Sequence, residues 1–159
     1  MLAADACEAH GLVVPRLSDP TQRRLRGLLP RGAATTNPVD TSAVVSPEVF
    51  ASAVSAVRAD PEVDAVLAVT VATALTDPFA GIATAAAGRG APVLGVRLGQ
   101  AEHVTGLPVA DGTVPFFGDA APAAAALAQA ATRAEWLARP RGTSGRAVGT
   151  DRVLSLIHI

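Results

Sequence analysis

The sequence predicts an α/β domain built on a doubly wound parallel sheet. Two observations carry this reading. Largely apolar, β-branched runs at Val63–Val71 and Pro92–Arg97 have the pattern of strands covered on both faces. Segments with helical spacing and recognisable caps alternate with them, which is the signature of β-α-β crossovers. With 159 residues, half of them hydrophobic and 17% charged, the chain has the size and apolar content of one domain.

The elements follow in order. Residues 2–10 are strong helix formers, and Gly11 suits the left-handed position after a helix end. Leu12-Val13-Val14-Pro15 reads as a short strand. Asp19-Pro20-Thr21-Gln22 opens a second helix, with Asp19 as cap, which carries Leu25, Leu28 and Leu29 on one face and stops at Pro30. Residues 31–45 form a loop containing Asn37-Pro38-Val39-Asp40. Ser46-Pro47 starts a third helix that Asp60-Pro61 ends. After the strand Val63–Val71, Asp77-Pro78 opens a helix reaching about Gly88, and the strand Pro92–Arg97 follows. Leu98 to Thr113 reads as loop, Val114–Phe117 as a short strand, and Asp119 caps a long helix through Leu137. From Arg139 the composition is that of a linker.

Composition excludes several classes. The net charge of −1 offers no basic field for nucleic acid, and no apolar run reaches the roughly 18–20 residues of a membrane span. The N-terminus lacks the pattern of a signal peptide. A single cysteine, Cys7, precludes an intrachain disulfide. The expected location is a reducing cytoplasm, without membrane or nucleic-acid partners. All 13 basic residues are arginine, and two of the three isoleucines, Ile157 and Ile159, fall in the last three positions. The closing stretch Leu154–Ile159 therefore differs from the body of the chain. It resembles translated sequencing-adapter sequence and is expected to be non-native.

Few residues invite chemistry. His10 lies where a helix end favours histidine, so a capping role outweighs catalysis. His103 has no neighbour at metal-ligand spacing, and no metal site is expected. Cys7 suits a small core position and Trp136 a packing position. Gly88-Arg89-Gly90 follows a helix and precedes a strand, the reverse of a dinucleotide fingerprint. Pro38 should hold Asn37 extended, while Asn37 and Asp40 can both bond nearby backbone. The loop is either a structural lock or the border of a site.

Several segments then combine in one order and spacing: Ala3–Leu12, Leu17-Ser18, Leu25/Leu28/Leu29-Pro30, Asn37-Pro38-Val39-Asp40, Asp60–Leu67 and Glu135-Trp136-Leu137-Ala138-Arg139-Pro140. This set resembles the second succinyl-CoA-synthetase-like flavodoxin domain of the NDP-forming acyl-CoA synthetases, which include the ADP-forming acetate–CoA ligases and their fusions to a GNAT acetyltransferase. The resemblance covers residues 3–140 and implies a flavodoxin-like sheet. It implies a reaction of acid, CoA and ATP giving acyl-CoA, ADP and phosphate through an acyl phosphate and a phosphohistidine. The CoA-binding, phosphohistidine and ATP-grasp parts are expected in other domains or subunits of the same synthetase. ATP or ADP, CoA and Mg belong to that full-length enzyme, with none bound by this fragment. No catalytic residue is assigned here. The resemblance makes Leu2, Ala3, Ala4 and Asp5 the remnant of a helix facing the phosphohistidine, and Asn37 and Asp40 a loop near that site or an interface. The alternative is a stand-alone flavodoxin-like binding or regulatory module without catalysis.

The expected organisation is a domain over residues 1–140, truncated at its N-terminus, a linker over 141–153 and a tail over 154–159. The chain opens inside the first helix, so the domain lacks its first, central strand, which would separate the Leu12 strand from Val63–Val71. Two unpaired strand edges would then be exposed, an aggregation hazard. The 159-residue chain is expected to be poorly soluble. A monodisperse monomer with a cooperative thermal transition contradicts this.

Overall fold

The computed structural model of the chain describes residues 2–73, 76–88, 90–110, 112–140 and 142. The expected linker and tail lie outside these residues, apart from Gly142. Among the described residues five helices, α1 (Leu2–Ala9), α2 (Asp19–Leu28), α3 (Pro47–Arg58), α4 (Phe79–Ala86) and α5 (Ala120–Ala138), surround four strands, β1 (Val66–Val71), β2 (Val93–Leu98), β3 (Val104–Val109) and β4 (Gly112–Phe117). The strand order is β1-β2-β4-β3. β1, β2 and β4 are parallel, and β3 pairs antiparallel with β4 from Val104↔Phe117 to Val109↔Gly112.

Alternation along the strands sorts the core into two layers. Val66, Ala68, Val93, Val114 and Phe116 point to the side covered by α2, α3 and α4, where they meet Leu25, Phe50, Val54 and Ile82. Leu94, Val96 and Phe117 point to the other side, against Ala123 and Leu127 of α5. α1 packs on α5 rather than directly on the sheet. Both faces of β2 are therefore covered over Val93–Val96, which explains its unbroken apolar run.

Caps set most helix ends. α1 closes in a Schellman turn: Leu12 N–H donates to Cys7 O at 2.9 Å and Gly11 N–H to Glu8 O at 3.0 Å, with Gly11 at φ +75°. His10 occupies the C-cap of that turn. Ser46 accepts from Val49 N–H at 3.4 Å to start α3, and Asp119 accepts from Ala121 N–H at 3.3 Å to start α5. At α2 the cap is Ser18, one position before the expected Asp19, and its side chain makes no cap bond to the helix. Its hydroxyl is committed elsewhere.

The structure corrects further sequence expectations. Leu12–Pro15 forms no strand, so the described sheet has one open parallel edge, that of β1, rather than two. β1 begins at Val66 instead of Val63, because Val63 N–H closes a turn onto Asp60 O at 3.1 Å. The stretch read as a loop from Leu98 to Thr113 contains β3 and the start of β4. Trp136 is 56% exposed, with the Arg133 guanidinium 4.3 Å from its ring centre, and is not a packing residue. Cys7 is buried as expected, and burial pushes its thiol pKa up.

Two residues at the end of α3 connect the elements. Arg58 donates to Ala91 O at 2.6 Å through Nε, to Ala85 O at 2.9 Å and Ala87 O at 3.0 Å through one terminal nitrogen, and to Gly88 O at 2.8 Å through the other. It thus satisfies carbonyls that the end of α4 leaves open. Asp60 is 3% exposed. Its Oδ2 accepts Ser18 N–H at 2.9 Å and the Ser18 hydroxyl at 2.8 Å, and its Oδ1 accepts Glu62 N–H at 3.0 Å. Burial pushes this carboxyl up, but the Thr21 hydroxyl, the Glu62 N–H and both Ser18 donors outweigh it and hold the pKa below the usual aspartate value. A folded-state pKa below the unfolded value of about 3.9 stabilises the fold above that pH. This contribution is lost as pH falls through the folded-state pKa. The urea midpoint should therefore hold steady from neutral pH to about 5 and then decline. Asp60→Asn should lower the midpoint at pH 7 and flatten the acid decline, because the group that titrates is gone. Equal acid slopes in the two proteins would refute the assignment.

Candidate functional site

In doubly wound sheets, ligands bind outside the carboxyl ends of the parallel strands. That end of β1 and β2 holds a cleft of about 330 Å³ bordered by Ala72, Phe79, Arg97, Gln100, Glu102 and Thr105. Its walls are built from the core outward. Gly95 on β2 leaves room for the ring of Phe116, to which an added Cβ would approach within 2.0 Å. Phe116 is fully buried and meets Phe79 of α4 in a tilted contact, ring centres 4.6 Å apart. Arg97, two residues after Gly95 on the same face, lies 4.3 Å over the outer side of Phe79.

Asp77 completes the stack. One carboxylate oxygen accepts Phe79 N–H at 3.1 Å at the start of α4, and the other accepts from Arg97 at 2.6 Å. The Asp77-Pro78 pair read from the sequence as a helix start thus also holds the arginine. Thr73 and Thr76 close the β1–α4 turn: Thr73 N–H and hydroxyl donate to Thr76 O at 3.0 and 3.1 Å. Opposite, the Gln100 amide donates to Glu102 O at 2.7 Å and to Phe116 O at 3.3 Å, fixing the turn after β2.

This arrangement positions groups rather than activating them. Side chains of Arg97 and Asp77 are 32% and 38% exposed and neutralise each other, so the arginine is not a free anion clamp. Among the described residues no His or Cys borders the cleft and no nucleophile–base pair is formed there. Among the described residues no group of three His, Cys, Asp or Glu side chains could hold a metal ion. No helix of the described residues is long and apolar enough to cross a membrane.

The residues singled out from the sequence lie elsewhere. Leu2, Ala3, Ala4 and Asp5 form the start of α1, with Leu2 86% exposed and Asp5 exposed. Asn37 is not extended as expected: its φ is +98°, with a cis bond to Pro38. Its amide donates to Pro15 O at 2.9 Å, and beside it Leu17 N–H donates to Thr36 O at 3.1 Å. Asp40 accepts from Ser42 N–H at 2.9 Å, and its own N–H donates to Ala34 O at 3.0 Å. The loop is therefore tied to the segment before α2, and among the described residues no bond joins Asn37 or Asp40 to α1. Arg97 and Phe79 were missed because a charge at the end of an apolar strand and an aromatic at a helix start carry no motif. The Asp-Pro-Phe start opposite an outward-facing arginine was the available signal.

No family model matches the chain, and no curated protein does. Solved structures do. PH0766 from Pyrococcus horikoshii OT3 aligns at a TM-score of 0.75 and 25% identity over 87% of this chain and 34% of that one. The apo dinucleotide-forming acetyl-coenzyme A synthetase 1 of Ca. Korarchaeum cryptofilum aligns at a TM-score of 0.67 and 20% identity, over 84% of this chain and 31% of that one. The same synthetase in complex with phosphate and ADP aligns at 0.65 and 20%, over 88% and 33%. The chain shares its fold with part of an acetyl-coenzyme A synthetase. It spans about a third of the length of these proteins. The expected fold class, a flavodoxin-like α/β domain, is the one observed.

The Gly95–Phe116–Phe79–Arg97 stack makes one substitution decisive. Gly95→Ala should cost about 1–3 kcal/mol, the usual range for overpacking, because the ring in its way is fully buried. Urea denaturation measures this. A neutral result would show that Phe116 can move without loss.

Proposed function

We propose that the chain is the flavodoxin-like domain of a longer NDP-forming acyl-CoA synthetase, which converts an acid, CoA and ATP to acyl-CoA, ADP and phosphate. The carrying observation is the shared fold over 84–88% of this chain with about a third of an acetyl-coenzyme A synthetase. The ordered segments from Ala3 to Pro140 support the same reading. In this role α1 belongs to a helix whose amino end faces a phosphorylated histidine of another domain, where backbone N–H groups and the helix dipole favour a phosphate. Leu2, Ala3, Ala4 and Asp5 are the remnant of that helix in this chain. Asn37 and Asp40 contribute by fixing a loop at the same site or at a domain boundary.

ATP, CoA and Mg are assigned to the other domains. The described residues do not fit a metal, and Arg97 is already neutralised by Asp77. The 159-residue chain should form no acyl-CoA from acetate, CoA and ATP, whereas the product of the complete reading frame should. Turnover by the isolated chain overturns the assignment of catalysis to other domains. A complete reading frame without CoA-binding and ATP-grasp segments overturns the synthetase reading and leaves the stand-alone module.

A further inference from the structure

The net charge of −1 conceals an uneven distribution. Residues 16–31 carry five arginines, Arg16, Arg23, Arg24, Arg26 and Arg31, against one carboxylate, Asp19. All five are exposed. α2 buries Thr21, Gln22 and Leu25, so Arg23, Arg24 and Arg26 project from the remaining surface of the helix. Arg16 lies 3.8 Å from Asp19, a pair whose side chains are 72% and 75% exposed. Among the described residues Arg23, Arg24, Arg26 and Arg31 have no ion pair. Glu48 borders the same groove as Arg24 but does not pair with it.

Gly27 sits within this basic surface. A Cβ there would meet nothing within 4 Å. Glycine inside a helix is unfavourable, and no contact within the domain compensates at this position. The absent side chain leaves the helix backbone open to close approach from outside.

We propose that the exposed face of α2, Arg23, Arg24 and Arg26 around Gly27 with Arg16 and Arg31 at its ends, docks a carboxylate-rich protein surface. Guanidinium forks match carboxylates two bonds at a time. A protein partner fits better than nucleic acid: α2 carries no aromatic side chain for a base to stack on, and the remainder of the chain is acidic and repels a long polyanion. On the reading under Proposed function, the partner is an acidic face within the two-thirds of the synthetase outside this chain.

The test uses the 159-residue chain and a fluorescent peptide of alternating Asp and Glu, followed by anisotropy at low and at physiological salt. Binding should weaken as salt rises. The triple variant Arg23→Glu, Arg24→Glu, Arg26→Glu should bind about tenfold more weakly, the size that three exposed pairs carry together. Arg133→Glu on α5 should leave affinity unchanged. All three sites are exposed, and circular dichroism checks that the variants fold. Equal binding by the triple variant overturns the proposal. So does tighter binding of an oligonucleotide of equal charge, or of vesicles of anionic phospholipid. These outcomes are independent of the acyl-CoA assay, so the docking surface and the synthetase reading can fail separately.

Discussion

The fold depends on two residues at the end of α3, Arg58 and Asp60. Arg58 and Asp60 leave the helix in different directions and hold different parts of the chain. Arg58 gathers four carbonyls from the connection between α4 and β2. Asp60 gathers the start of α2 and the approach to β1. The amino ends of the parallel strands β1 and β2 are thus set by groups two positions apart. Hydrogen bonds involving a charged partner are stronger than neutral ones, and a donor or acceptor left without its partner in a buried place costs more than the bond contributes. Lysine could not replace Arg58, because one ammonium cannot span carbonyls arranged around a planar fork. Asparagine could accept at Asp60 but would bring its own donors to a place already filled by four.

With the amino ends fixed, the opposite end of the sheet is positioned by packing. Gly95 admits Phe116, Phe116 supports Phe79, and Phe79 carries Arg97, which Asp77 holds from the side. Each contact follows from the one beneath it. The cleft at this end is accordingly a built feature of the fold, yet its charges cancel internally.

Much of this was legible in the sequence where local rules decide. The covered strand β2, the Ser46 and Asp119 caps and the Gly11 turn follow from periodicity and cap chemistry, and they stand, whereas β1 is covered on one face and leaves Val69 and Val71 exposed on the other. β3 escaped because Gly106 and Pro108 are poor strand residues. Both are tolerated on an edge strand, where Pro108 needs no ladder donor and one face meets water. Asp111-Gly112 between two β-prone runs was the usable hairpin signal. Leu12–Pro15 has strand propensity, but propensity alone does not supply a partner, and its neighbours instead bond the loop at Thr36 and Asn37. Arg58 was illegible for another reason: its four acceptors are backbone carbonyls about 30 residues away, and carbonyls have no sequence signature.

The two surfaces the domain leaves unfilled differ in kind. Register places Val69, Val71 and Leu98 on the α5 side of the sheet at its carboxyl end, where they are 39%, 50% and 46% exposed, beyond the stretch that α5 covers. The α2 surface is charged and offers little apolar area. Apolar area supplies binding energy once water is excluded, whereas rim charges act mainly on encounter and choice of partner. The two surfaces lie on opposite sides of the sheet, so salt should weaken a contact made through the charged helix and leave one made through the apolar row intact.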